Sequence, residues 1–250
     1  MLGWYYNKQE LKHTPSALDN INEDTELEYR KQGIKLIVNI GKELDMNLEI
    51  IATGALYFHR FYMFHSFKQF SQYITACGCI FLATKVHETP EELTNVIKTA
   101  HSLLNAHEFS SFQDDPRKEV IELELNLLQT LQFDLDVQLP YNYLINFSDC
   151  FTAPANQVQQ ILQIAWGFVN NSLFTTLVLQ WEPEILAIAF LYLAGKLSEL
   201  EIEDWCDHNK HLHWWNLFIE DISEEVLEDI CHQILDVYCI PPGSSDFYSS

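Results

Sequence analysis

Apolar residues along this chain return every three or four positions. Ile121, Leu125, Leu128 and Leu131 form one such run, and the spacing predicts a helix. No stretch sustains a period of two, so the pattern predicts an all-α fold. Two segments depart from the amphipathic rule. Residues 73–83 (YITACGCIFLA) and 185–194 (ILAIAFLYLA) are apolar around their whole circumference, which predicts helices buried on every side. Two such helices imply two cores.

Prolines punctuate the pattern. Six of the eight (Pro15, Pro90, Pro116, Pro140, Pro154 and Pro183) stand at the head of helix-compatible runs, where the missing N–H costs no hydrogen bond. Thr14 and Asp115 read as N-caps, and Thr89-Pro90-Glu91-Glu92 reads as a capping box with Thr89 at its head. The expected helices cover about 26–43, 48–64, 71–87, 91–106 and 116–132, then 140–149, 155–173, 183–197, 201–218 (broken) and 224–238. They make two five-helix units, over 24–137 and 138–240, with a short helical segment in 1–23 ahead and a flexible tail over 241–250 behind.

The two units resemble each other. Phe81-Leu82-Ala83-Thr84-Lys85 returns 111 residues later as Tyr192-Leu193-Ala194-Gly195-Lys196. In the helix before, Ile51, Ala55, Phe58 and Phe64 match Ile161, Ala165, Phe168 and Phe174 at an offset of 110. A spacing shared across two helices indicates an internal repeat.

Composition narrows the function. A chain of 250 residues with 48% apolar content can fill real cores, and its net charge of −22 repels phosphate backbones and anionic lipid. Direct nucleic-acid binding and membrane binding are therefore not expected. The N-terminus, Met1 to Lys8, does not read as a signal peptide, and no segment reaches the ~20 apolar residues of a membrane span. The irregularly spaced cysteines read as free thiols of a reducing compartment. Cys77 and Cys79 point to different faces of one helix and read as packing residues.

Against this background particular strings are familiar. Ala83-Thr84-Lys85-Val86-His87-Glu88 is similar to the A-x-K-x-E-E signature of the cyclin box, and Glu124, nine residues before Phe133-Asp134-Leu135, matches that family's fifth-helix acid. Arg30 precedes His59 by 29 residues, the family's spacing between a first-helix Arg and a second-helix Asp, here His59. His59-Arg60-Phe61-Tyr62-Met63-Phe64-His65-Ser66-Phe67, together with Trp4-Tyr5-Tyr6 and Thr14-Pro15-Ser16, resembles the transcription-linked cyclins. Gln180-Trp181-Glu182-Pro183-Glu184-Ile185, Asp114-Asp115-Pro116 and the string 227–235 look like the cyclin K subgroup, with the cyclin T subgroup as runner-up. The resemblance covers about 4–238.

It implies a non-enzymatic, cofactor-free activator that forms a heterodimer with a cyclin-dependent kinase, of the twelve or thirteen type, and works in the nucleus on the repeated tail of RNA polymerase II. Lys85, His87, Glu88, Glu124, Trp4 and Tyr5 would meet the kinase; Arg30 and His59 would be structural. A Lys and a Glu can also pair with each other, the plainer reading of any such two residues. Two departures stand out. His87 replaces a Glu, and Tyr29-Arg30-Lys31-Gln32-Gly33 lacks the M-R-A-I-L residues that recruit R-x-L substrates. The long proline-rich tail associated with cyclin K has no counterpart in the sequence.

Other chemistries fit less well. Cys206, His208, His211 and His213 cluster as C-x-H-x-x-H-x-H, which matches no common zinc spacing and reads as a polar connector; a metal-binding helical enzyme is the alternative it keeps open. The eight glycines are scattered and make no phosphate loop. Acidic pairs such as Glu91-Glu92 sit at helix starts, where the macrodipole accounts for them. A DNA-binding factor of cyclin fold would need a basic face.

Overall fold

The computed structural model describes residues 3–112, 114–199 and 213–238, and every regular element among them is helical. The chain divides into two compact units, Met1–Val137 and Gln138–Ser250. The first contains α1 (Pro15–Leu18), α2 (Glu23–Glu43), α3 (Leu48–Phe61), α4 (Gln72–Val86), α5 (Leu93–Leu103), α6 (Ala106–Phe109) and α7 (Pro116–Thr130). The second contains α8 (Pro140–Ser148), α9 (Ala155–Ser172), α10 (Leu177–Gln180), α11 (Pro183–Leu197) and α12 (Glu224–Asp236), with a 3-10 turn at Trp214–Leu217. That turn is the described end of the broken helix expected over 201–218; residues 201–212 and the expected tail lie outside the described residues.

Each unit is organised around its circumferentially apolar helix. Helix α4 packs against α2, α3, α5 and α7, and every residue from Tyr73 to Thr84 is buried. Helix α11 packs in the same way against α8, α9 and α12. The repeat pairs Ile51/Ile161, Ala55/Ala165 and Phe58/Phe168 are all buried, so their shared spacing reflects a shared core position; the fourth pair, Phe64/Phe174, lies past the helix ends, and Phe64 is 41% exposed. Close approach of α2 to α3 needs Gly33, where an added Cβ would lie 2.1 Å from the Phe58 ring.

The cap at Thr14 forms, its hydroxyl oxygen accepting the Ala17 N–H at 3.2 Å, and Asp115 accepts the Lys118 N–H at 3.2 Å. Pro15, Pro116, Pro140 and Pro183 open helices. The capping box at Thr89 does not form. The Thr84 hydroxyl accepts the Glu91 N–H at 3.3 Å, and the Glu91 carboxylate accepts from the Glu92 N–H at 2.9 Å, so early donors are taken before a helix can start. Helix α5 begins at Leu93, with Glu92 as an N-cap that makes no side-chain bond.

The core face of α7 is Val120, Leu123 and Leu127, continued by Leu131 beyond the helix end, while Ile121 and Leu125 are 45% and 56% exposed. The run of apolar residues at helical spacing forms the expected helix, with two of its four members turned away from the core. Helix α7 carries a second set of apolar residues, and that set is the one packed on α4.

Candidate functional site

Lys85 occupies the last turn of α4, where a cation favours the negative end of the helix dipole. The stem rises one turn beyond Phe81, and Nζ lies 4.0 Å from the centre of that ring. From there it donates to both oxygens of Glu124 on α7, at 2.6 and 2.9 Å. The lysine side chain is 41% exposed and the glutamate 13%. The two residues therefore pair with each other, the plainer of their two readings, across 39 residues of sequence at the edge of a core, with the cation presented outward.

His87 caps α4, and its Nε2 lies 2.9 Å from the Thr53 hydroxyl of α3, so this half-buried ring is tied to its own unit. Glu88 follows in the left-handed region at φ 56° and is exposed. Beyond α7, Phe133 also has a left-handed φ of 58° and is 70% exposed.

Arg30 is 2% exposed and lies within the core. Its Nη2 and Nε donate to Glu26 at 2.7 and 3.1 Å, and further bonds reach the carbonyls of His59 and Tyr62, each at 3.3 Å. Arg30 Nη1 lies 3.4 Å from His59 Nδ1. The counter-charge that the family places at position 59 is supplied by Glu26, one turn away on the same helix. Glu26 also accepts from the Thr14 hydroxyl at 2.5 Å, which ties α1 to α2.

Trp4 is 7% exposed, with its indole N–H on Asp134 at 2.9 Å and its ring 4.6 Å from the Arg60 guanidinium. Tyr5, next to it, is 42% exposed. Burial pulls the Arg60 pKa down, and two of its nitrogens, Nε and Nη1, have no hydrogen-bond partner; the Trp4 ring face takes their place. Sequence reasoning missed this cluster, although Asp134 stood in a motif already singled out.

At the positions where R-x-L recruiters are apolar, the surface is polar. The Gln32 side-chain oxygen accepts from Gln72 at 3.0 Å and from the Tyr73 hydroxyl at 3.2 Å. Burial and neighbouring Glu108 push the Tyr73 pKa up to about 12.

Of the possible metal cluster only His213 is described, and its ring stacks on Trp215 at 4.3 Å; Cys206, His208 and His211 lie outside the described residues. Among the described residues no group of three candidate ligands converges. Cys77 and Cys79 are buried and burial raises both thiol pKa values, in keeping with packing. No described helix is long and apolar enough to cross a membrane.

Known proteins resemble this chain in sequence and in fold. Residues 2–136 match the family model described as the cyclin N-terminal domain. The chain is 51% identical to human cyclin-K and 50% identical to that of Danio rerio, in each case over 94% of its own length. It is 32% identical to mouse cyclin-T1. It spans only 40% and 55% of the two cyclin-K relatives. A chain in the crystal structure of the yeast RNA Pol II CTD kinase CTDK-1 complex superposes with a TM-score of 0.71 at 17% identity, covering 94% of this chain and 72% of that one. A chain of the yeast TFIIK (Kin28/Ccl1/Tfb3) complex gives 0.64 at 20% identity, covering 94% and 95%. At those identities the structures show the fold alone, whereas the family model covers more than half the sequence and the fold agrees with it: the chain belongs to the cyclin family.

Proposed function

We propose that the chain is the regulatory subunit of a cyclin-dependent kinase and carries no catalytic residues of its own. The observation that carries this reading is the Lys85–Glu124 pair, held at the edge of the first core with its lysine exposed and Phe133 projecting beyond it. Such a pair can be handed over: Lys85 to a partner's carbonyls, Glu124 to its donors, so that each charge keeps a bond when water leaves. Glu88, His87 and Tyr5 would form the surrounding contact, with Trp4 acting from behind to position Tyr5.

The mechanism is conformational. An idle kinase holds its regulatory helix away from the ATP-positioning lysine, so their ion pair is broken. A subunit that binds only the helix-in form favours it by differential affinity, and moving a 1:99 equilibrium to 99:1 takes about 5.5 kcal/mol. All phosphoryl-transfer chemistry stays in the kinase.

The finer assignment is a transcription-elongation kinase of the twelve or thirteen type, acting on the repeated tail of RNA polymerase II in the nucleus. It is supported by identity to cyclin-K well above that to cyclin-T1, 51% against 32%, and by the cyclin K-like strings at 114–116, 180–185 and 227–235. The test is equimolar competition among purified elongation and cell-cycle kinases for the chain. Preference for the elongation kinase of the twelve or thirteen type is expected; preference for the cyclin T partner or a cell-cycle kinase would overturn the assignment.

A further inference from the structure

The sequence holds two Thr-Pro dipeptides, Thr14-Pro15 and Thr89-Pro90, and no Ser-Pro. Proline has no N–H to leave unpaired and biases the residue before it towards an extended backbone, so a kinase that selects proline directly after its acceptor hydroxyl reads a local shape as much as a side chain. The structure separates the two dipeptides. Thr14 is 2% exposed and its hydroxyl is taken, donating to Glu26 and accepting from the Ala17 N–H. Thr89 is exposed, in the stretch 89–92 that joins α4 to α5 without regular structure, and Pro90 beside it is exposed too. The Thr89 hydroxyl caps no helix and lies 3.5 Å from the Thr84 carbonyl oxygen, at the outer limit of a hydrogen bond.

The backbone at Thr89 closes α4. Its N–H donates to the Thr84 carbonyl at 3.0 Å and the Glu88 N–H donates to the Lys85 carbonyl at 3.1 Å, with Glu88 in the left-handed region, the paired bonds of a Schellman closure. A phosphate on Thr89 would therefore stand at the negative end of the α4 dipole, among the sequence neighbours Glu88, Glu91 and Glu92 and four residues beyond Lys85. Carrying about −1.5 to −2 charges at pH 7, it is repelled by those carboxylates and attracted to that lysine.

We propose that Thr89 is a phosphorylation site of a proline-directed kinase, and that its phosphate draws Lys85 away from Glu124 and lowers the affinity of this cyclin for its own kinase. In the modifying step Thr89 Oγ1 attacks the γ-phosphorus of MgATP held by the modifying kinase. The Oγ1–phosphorus bond forms, the bond from that phosphorus to the β,γ-bridging oxygen breaks, ADP leaves, and the hydroxyl proton passes to the catalytic aspartate of the modifying kinase. The site stands on Thr89 and Pro90; its effect on affinity rests on the docking reading of Lys85 and Glu124. With the lysine held by phosphate, Glu124, only 13% exposed, loses its cation, and the lysine is no longer available to a partner's carbonyls.

The test incubates the full chain with MgATP and a purified mitogen-activated protein kinase, which is proline-directed and acts without a cyclin, and maps the phosphate by tandem mass spectrometry. Phosphate on Thr89 and none on Thr14 is expected, with most of the incorporation lost in Pro90→Ala and all of it in Thr89→Val. An unmodified Thr89, or incorporation that Pro90→Ala leaves intact, would overturn the site. The phosphorylated chain, the unmodified chain and the charge swap Lys85→Glu with Glu124→Lys are then titrated with a purified elongation kinase. The phosphorylated chain is expected to bind about tenfold more weakly with its helical circular dichroism retained. Unchanged or tighter binding beside a large loss in the charge swap would overturn the regulatory role and leave the docking reading standing; loss of the helical signal on phosphorylation would replace a local switch with unfolding and overturn it too. A silent charge swap would mean that the docking reading has failed and the effect on affinity with it, while the mass spectrum still decides the site.

Discussion

The two repeats place the same residue types at the same point of the same helix and use them differently. In the first unit Lys85 lies 4.0 Å from the Phe81 ring and continues to Glu124. In the second, 111 residues on, Lys196 lies 5.1 Å from the Tyr192 ring, and it is the Tyr192 hydroxyl that reaches a carboxylate, Glu224 at 2.8 Å. Phenylalanine has no polar tip, so in the first unit the lysine itself must carry the polar contact; tyrosine takes that contact over in the second. Along the buried length of the two helices apolar and small residues replace one another, as Cys77 and Ile188 or Cys79 and Phe190 do, and the difference in polar contacts lies at the last turn.

The largest effect expected lies in the feature the first unit holds deepest. Arg30→Ala leaves Glu26 buried without its cation and should cost about 3–5 kcal/mol of first-unit stability, read by urea unfolding. A loss below about 1 kcal/mol would show that Thr14 alone satisfies the carboxylate.

Next comes the surface difference. The swap Lys85→Glu with Glu124→Lys preserves an internal ion pair but inverts it, so the fold should hold while kinase binding weakens by about 2–5 kcal/mol in a calorimetric titration. Lys196→Glu at the equivalent point should leave that affinity within about twofold of wild type. Equal sensitivity at the two sites would mean that the repeats had not diverged in use.

Two glycines sharpen the comparison of the cores. Gly33→Ala drives a methyl into the Phe58 ring and should destabilise by about 1–3 kcal/mol. Gly167, on α9 of the second unit, has nothing within 4 Å of an added Cβ, so Gly167→Ala should stabilise by about 0.5–1 kcal/mol through helix propensity. Thermal melts of the two variants that shift in the same direction would contradict the packing described for α2 and α3.

Periodicity read the core helices well because α4 and α11 have no outward face to confuse it. It found α7 as a helix but not its core face, because Ile121, Leu125 and Leu128 form as regular a series as Val120, Leu123 and Leu127; spacing alone does not say which of two apolar stripes meets the core. The Thr89 cap failed for a non-local reason, since Thr84, five residues earlier, had already engaged the Glu91 N–H. The Lys85–Glu124 pair was legible as two separate motif residues, and their direct bond as the plainer alternative. The contacts of Trp4 were not legible because its partners, Arg60 and Asp134, are 56 and 130 residues away, and no local pattern relates them.

Mounting Lys85 on α4 has a consequence in time. A helix buried from Tyr73 to Thr84 opens only when its whole unit opens, so its amides should be among the slowest to exchange with deuterated solvent. The backbone that carries the lysine is then steady on the timescale of an encounter, and only its own side-chain torsions remain to be settled. A partner arriving by diffusion meets an anchor already aimed, and it need not wait for a loop to find its place.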